Sequence, residues 1–278
     1  MESGTQGVAA TPQKPVIHQS QLAMLSRCGE QYFRRYVQGE VVPPGVAALR
    51  GTGTHSGVEA NLRNKIETKG QLLPVAQVQQ IAVDSFKAAW EGGVLLDEEE
   101  VALGATKVKG EAIDIVASLS ALHHRELAPK IQPIHVERTF RLELKNYPVD
   151  LVGTMDIQEP KTVRDTKTAG KSPSADAADI STQLTMYALA VKTLDGEAPE
   201  KVLLDNLVSN KVPKVVTLES TRDATDFQQL LQRVERSVEV IQKGSFTPAD
   251  PSSWWCSKRF CGYWSTCAFA ARRTQVAM

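Results

Sequence analysis

The chain has 278 residues, 42% of them hydrophobic, with 32 Lys and Arg against 32 Asp and Glu and four cysteines. Balanced charge excludes a generally cationic coat for nucleic acid and leaves only local patches, and no apolar run approaches a membrane span. The opening MESGTQGVAATPQKP has neither the charged region nor the apolar core of an export signal, so the expectation is a soluble, cytoplasmic protein whose thiols stay reduced.

Residues 1–15 read as a disordered lead-in of small and polar residues. From Ser20 onward, SQLAMLSRCGEQYFRRYV sets Leu22, Leu25, Tyr32, Phe33 and Tyr36 at helical spacing, with Cys28 on the helix or at a break beside Gly29. LRGTGTHSGVEANLRNKI reads as a glycine-rich turn leading into a helix, with His55 at the helix's start. Further helices are predicted over 75–91 and 111–127. The apolar period then changes to two, and 134–144, 149–159 and 161–167 read as a three-stranded antiparallel meander. A helix over 179–194, a strand over 201–209, a partner strand in KVVTLES and a helix over 223–243 complete the pattern. The order predicts an α/β core with helical additions on either side, residues 16–278 forming a single domain.

Cys28 stands alone near one end, and Cys256, Cys261 and Cys267 follow near the other in WWCSKRFCGYWSTC. This layout suits a four-thiolate metal site or an iron–sulfur cluster better than disulfides, and such a site would tie the two ends together. The competing reading makes Trp254, Trp255, Phe260, Tyr263 and Trp264 a small satellite core.

A second ligand set lies on the predicted meander. Gly153-Thr154-Met155-Asp156 and Asp165-Thr166-Lys167 fall on neighbouring strands, where both carboxylates reach one end of the sheet and Lys167 shares a face with Asp165. Carboxylate oxygens suit Mg²⁺ or Mn²⁺, and an adjacent ammonium can orient water or neutralise a phosphate. The plain alternative is a pair of surface acids with a solvated lysine. Against it, Asp156 interrupts the apolar strand VDLVGTMDI, Gly153 leaves room for a close approach, and Gln183 and Tyr187 share a helix face. His55 alone would be a capping or core histidine, His123 and His124 a solvated helical pair, and Glu137 either a metal contact through water or the ion-pair partner of Arg138 or a neighbouring strand. Arg27, Arg34, Arg35, Lys107, Lys109, Lys258, Arg259, Arg272 and Arg273 are the candidates for phosphate contacts along a groove.

In order along the chain, a glycine-flanked His55, Glu137, G-x-x-D at Asp156, D-x-K at Asp165 and Lys167, and Q-x-x-x-Y at Gln183 and Tyr187 resemble the RecB-type branch of the PD-(D/E)XK nuclease superfamily. The four cysteines extend the resemblance to its iron–sulfur members, such as the AddB nuclease domain and CRISPR-associated exonucleases. No single motif is specific; their order carries the resemblance. It implies a restriction-endonuclease-like mixed sheet flanked by helices, with metal ligands His55, Asp156, Asp165 and the Thr166 carbonyl, and with Asp156, Asp165, Lys167, Gln183 and Tyr187 in the active site. It implies a [4Fe–4S] cluster on Cys28, Cys256, Cys261 and Cys267. The spacing here is C-x4-C where that family often shows C-x2-C, so zinc stays open beside iron.

The function that follows is a Mg²⁺- or Mn²⁺-dependent exonuclease on single-stranded or end-frayed DNA, in recombination, repair or phage DNA processing. It would work in the cytoplasm, the host's if phage-encoded, with a helicase or recombination partner and no membrane. The competing expectations are a catalytically silent iron–sulfur DNA-binding partner and an iron–sulfur redox protein.

Overall fold

The computed structural model describes residues 14–270; most of the predicted lead-in, and Arg272 and Arg273, lie outside them. Six strands form one mixed sheet: β1 (Val16–His18), β2 (His135–Leu142), β3 (Asp150–Glu159), β4 (Thr162–Ala169), β5 (Lys201–Val208) and β6 (Lys214–Ser220). β2 runs antiparallel to β3, β4 runs parallel to β5, and β6 closes the far edge antiparallel to β5.

Helices cover both faces. On one, α1 (Gln19–Arg27), α7 (Thr182–Asp195) and α8 (Ala224–Lys243) place Leu22, Leu184, Phe227 and Val234 on Leu151, Met155, Val163 and Val202. On the other, α3 (Val46–Glu67) and α6 (Ala105–Glu126) place Val58, Leu62, Leu119 and Leu122 on Val136, Ile157 and Leu207. α4 (Val75–Glu91) packs outside α3, with Ala82 and Phe86 against Val46, Leu49 and Val116. Burial of these apolar side chains is the main term holding sheet and helices together. Local signals set the ends. Ser181 caps α7 by accepting from the Leu184 N–H, and Asp223 caps α8 by accepting from Thr225 and Asp226. Gly244 stops α8 in the left-handed region at φ +65.

Several sequence expectations are corrected. α3 is one unbroken helix, so His55 lies inside it rather than at its start. Its glycines serve packing: a Cβ on Gly53 would meet the Ala82 carbonyl at 2.7 Å, and one on Gly57 the Val78 carbonyl at 2.9 Å. α6 begins at Ala105, ahead of the predicted 111, because Gly110 sits on an open face and does not break it. α5 (Glu98–Leu103) escaped prediction although Asp97 and Glu100 form a capping box. β1 also escaped; its three residues are too few for a periodic signal. The helix predicted from Ser20 does break at Cys28, whose extended backbone separates α1 from α2 (Gly29–Tyr32). α2 then runs into a π-helical turn over Phe33–Val37.

Candidate active site

The predicted meander is paired only in part, and the gap is the site. β2 occupies one edge of β3 along most of its length. The other edge is shared: β1 pairs with Asp150, Leu151 and Val152, and β4 pairs only with Ile157, Gln158 and Glu159. Between these two partners β4 diverges from β3, and the Asp156 carboxylate crosses the fork to accept the Thr166 main-chain N–H at 2.9 Å.

Side-chain alternation breaks at the same level. Leu151 and Met155 face α7, whereas Ile157, of the same parity, faces α3 and α6. On β2, Phe140 faces α7 while Val136 faces α3 and α6. Glu137, between them and opposite Asp156, takes φ +51, a left-handed conformation that is uncommon for a residue with a side chain and costs of order 1–3 kcal/mol. Gly153 has a different role from the one expected. Its α-carbon lies under the Phe140 ring, 2.6 Å from where a Cβ would be, so the space is already filled.

The fork gathers most of the residues singled out in the sequence. His55 Nδ1 lies 3.5 Å from Asp156 Oδ2. His55, Glu137 and Asp156 each offer a ligand atom, all within 4.8 Å of one another. Glu137 therefore belongs to the cluster and not to Arg138, which pairs with Asp195 and Gln158. Alternation on β4 places Asp165 and Lys167 on the α7 face, with Lys167 Nζ donating to Asp165 Oδ1 and to Gln183 Oε1, each at 2.9 Å. Gln183 Nε2 donates to the Tyr187 hydroxyl at 2.6 Å, and that hydroxyl stands 3.5 Å from Asp156 Oδ1. The chain of contacts joins both acids, the lysine and the helix. Of Thr166, the main-chain N–H is what reaches Asp156.

Electrostatics explain what such a site would bind. Asp165 is fully buried, and desolvation followed by the Asp156 charge holds its carboxyl well above the usual carboxylate range, Lys167 opposing both. Its Oδ2 sits 2.8 Å from the Lys167 ammonium yet accepts no hydrogen bond. Burial, then Asp156, Glu59 and Asp165, push Glu137 up to about 7, with Arg63 opposing. Burial and then the same two aspartates raise Tyr187, which stays a neutral hydroxyl. Two carboxylates and one imidazole with mutual repulsion to relieve suit a hard divalent cation such as Mg²⁺ or Mn²⁺.

A model of the PD-(D/E)XK nuclease superfamily matches residues 17–268. The chain belongs to this superfamily. The six-stranded mixed sheet flanked by helices is its restriction-endonuclease-like fold. Among solved structures, a candidate exonuclease from Eubacterium rectale is 17% identical, with 88% of this chain and 90% of that one covered and a TM-score of 0.49. The protein SSO0001 is 12% identical, covering 94% and 89%, with a TM-score of 0.42. No curated protein matches the chain significantly.

Two features of this nuclease-family chain were not read from its sequence. His123, expected to be solvated, is buried, and neither ring nitrogen has a hydrogen-bond partner. Burial first, then His55, Arg164 and His124, push it down to about 3. On the α3 face of β4, directly behind Asp165, Arg164 donates to Glu159 Oε2 at 2.5 Å and to the fully buried Asp205 at 3.0 Å. Thr217 completes that network at 2.5 Å from Asp205. A D-N pair on a strand read as apolar was the available signal.

The superfamily match also spans the cysteines. All four line one small pocket, and no disulfide joins them. Gln31 Nε2 donates to Cys261 Sγ at 3.0 Å, and the Ala249 main-chain N–H to Cys28 Sγ at 3.3 Å. The Trp255 indole N–H, also at this cavity, is buried without an acceptor. The ends of the fold meet here by contacts of their own. Gly29 donates to the Thr247 carbonyl at 2.7 Å, so closely that a Cβ would fall 2.6 Å from that backbone. Phe246 lies against Tyr32 and Phe33. An aromatic satellite core is not what closes the tail: Trp254 and Phe260 are 65% and 56% exposed. Four of the basic residues expected to contact phosphate are paired with acids. Arg34 pairs with Glu40, Lys109 with Glu91, Lys258 with Glu98, and Arg259 with Asp97 and Glu99.

Proposed function

We propose that the chain is a metal-dependent DNA exonuclease of the iron–sulfur RecB/AddB branch, hydrolysing phosphodiester bonds in single-stranded or end-frayed DNA. The observation that carries this is the convergence at one sheet fork of His55, Glu137 and Asp156 with the Asp165–Lys167–Gln183–Tyr187 chain of contacts. In this reading His55, Asp156, Asp165 and the Thr166 carbonyl hold Mg²⁺ or Mn²⁺, with Glu137 as a further ligand that the geometry adds. The ion would supply Lewis-acid polarisation of the scissile phosphate and a more acidic water.

The protein's own groups do the rest. Lys167, fixed between Asp165 and Gln183, presents a positive charge where negative charge develops, and orients the attacking water. Gln183 keeps that ammonium from collapsing onto Asp165 alone, and Tyr187 positions Gln183. Backbone-directed contacts of this kind give no base-sequence preference.

Cys28, Cys256, Cys261 and Cys267 would hold a [4Fe–4S] cluster, zinc being the alternative, as a structural tie within one domain spanning 16–278. A cytoplasmic place and a helicase or recombination partner belong to this reading. No helix among the described residues is long and apolar enough to cross a membrane.

The test is digestion of end-labelled single- and double-stranded DNA with and without Mn²⁺ by wild type, Lys167→Ala and Asp165→Asn. Loss of cleavage in both variants, with circular dichroism unchanged, is expected. Wild-type digestion by either variant overturns the assignment, and DNA binding by wild type without any Mn²⁺-dependent cleavage favours the silent-partner reading.

A further inference from the structure

The thiol cavity holds more hydrogen-bond donors than four thiols and a closed loop require. Gln31 is 7% exposed, and its side chain is locked at both ends: Arg27 Nε donates to its Oε1 at 3.2 Å, while its Nε2 donates to Cys261 Sγ at 3.0 Å. Cys261 is itself buried. An amide aimed at a buried sulfur makes its strongest bond when that sulfur is the charged acceptor of a metal-bound site. A glutamine at that position is costly to bury unless its amide is used, and here both ends are.

Trp255 presents the complementary observation. Its ring borders the same cavity, and its indole N–H is buried with nothing to accept it. Buried donors are rarely left unmatched. A lone zinc ion brings no acceptor atom of its own, whereas the inorganic sulfides of an iron–sulfur cluster do, and N–H donors to such sulfurs tune its potential.

We infer that Gln31 and Trp255 are positioning residues of the thiol centre, Gln31 donating to the Cys261 thiolate and Trp255 to an acceptor atom that arrives with the bound group. The inference rests on the reading of the four cysteines as a metal or cluster site. Neither residue is a ligand. Their work is to hold the sulfur set in its binding orientation and to stabilise its negative charge, most of all after reduction.

The experiment uses the full chain purified anaerobically as wild type, Gln31→Leu, Gln31→Glu and Trp255→Phe. Iron, zinc and acid-labile sulfide are counted, release of metal to a chromophoric chelator is timed, and the midpoint potential is titrated. Loss of one N–H···S bond should speed release about two- to tenfold in Gln31→Leu. Gln31→Glu, which sets a carboxylate against the thiolate, should be faster still. Trp255→Phe should lower the midpoint potential with melting and circular dichroism unchanged. Release rates and potentials equal to wild type in all variants overturn the inference. Zinc without sulfide in wild type overturns the Trp255 half and leaves Gln31 to the release rate. If wild type holds no metal at all, the cysteine reading itself fails. The inference then falls with it, whereas metal that is held by Gln31→Leu and released at the wild-type rate overturns the Gln31 half alone.

Discussion

Substituting alanine for individual glycines of α3 and α6 should change stability with opposite signs, and the sign tests how the helix bearing His55 is placed. Alanine gains about 1 kcal/mol over glycine in a helix interior. At Gly110 nothing lies within 4 Å of the new Cβ, so Gly110→Ala should realise most of that gain, about 0.5–1 kcal/mol. At Gly51 the nearest atom is Thr168 Oγ1 at 3.6 Å, an ordinary contact, and the same sign is expected. At Gly53 the methyl would stand 2.7 Å from the Ala82 carbonyl, 2.8 Å from Phe86 Cβ and 3.2 Å from Val116 Cγ1. The nearest of these atoms is main chain and Phe86 is fully buried, so α3 must move away from α4. Overpacking costs about 1–3 kcal/mol; set against the propensity gain of about 1 kcal/mol, Gly53→Ala should lose about 0–2 kcal/mol. The displaced helix also carries His55 off Asp156, and with His55 as the proposed metal ligand a small misplacement should cost on the order of tenfold or more in rate. Urea denaturation measures the first effect and Mn²⁺-dependent digestion the second. Gly53→Ala as stabilising as Gly110→Ala would refute close α3–α4 packing as the reason for the glycine-rich motif.

Three further expectations follow from buried charge and polarity. His123 is neutral in the fold down to about 3, whereas the unfolded chain takes up its proton near 6.5. Its contribution to stability is therefore full above pH 6.5 and is lost as pH falls toward 3, by about 2 kcal/mol between pH 6.5 and 5. His123→Leu should remove that slope, and urea midpoints that fall equally in both proteins at pH 5 would reject it. Arg164→Met leaves Glu159 and the fully buried Asp205 without their cation. A loss of about 3–5 kcal/mol is expected on breaking such a pair from one side, read in the same denaturation experiment, and a loss under 1 kcal/mol would show the network to be solvent-compensated. Lys65 donates to the Ala128, Pro129 and Ile131 carbonyls, at 2.8, 3.2 and 2.6 Å, beyond the end of α6. Lys65→Met should cost about 1–3 kcal/mol through those unmatched acceptors, and hydrogen exchange should quicken at residues 127–131 and not in α8.

Much of this molecule was legible where a local rule operates alone. α4, α7, α8, β5 and β6 follow their apolar periods, and Ser181 and Asp223 mark helix starts by the side chains they must use. Reading failed where tertiary contact overrides the local rule. Gly53 and Gly57 look like part of a turn because glycine's freedom is its usual reason for being present, yet here its small size is. His123 and Asp205 look polar and therefore exposed, and only the three-dimensional layers show that α6 and β5 bury them. Among the residues gathered at the candidate site, the shared faces of Asp165 with Lys167 and of Gln183 with Tyr187 were legible because a strand period of two and a helix step of four fix them. For Glu137 the sequence left a metal contact through water and an ion pair with Arg138 or a neighbouring strand equally open, because the left-handed turn that breaks alternation at this residue has no local signal.

That failure identifies what the site is made of. Had β3 and β4 stayed paired through Asp156, the Thr166 N–H would bond a β3 carbonyl and the Asp156 side chain would lie on one face or the other. Instead the ladder stops after three residue pairs, and the carboxylate takes the place of a main-chain acceptor. β2 accommodates the same dislocation through the left-handed Glu137, which turns its carboxylate toward Asp156 and His55. Such a break is tolerable only because two separate apolar layers grip the strands on either side of it, Leu151, Met155 and Phe140 above and Val136 and Ile157 below. The strain at Glu137 is therefore held by packing and released into the geometry of the acids, so replacing Met155 or Ile157 with alanine should loosen the cluster as well as the core. Sequence patterns that assume an unbroken strand cannot register a site whose defining feature is the place where two strands part.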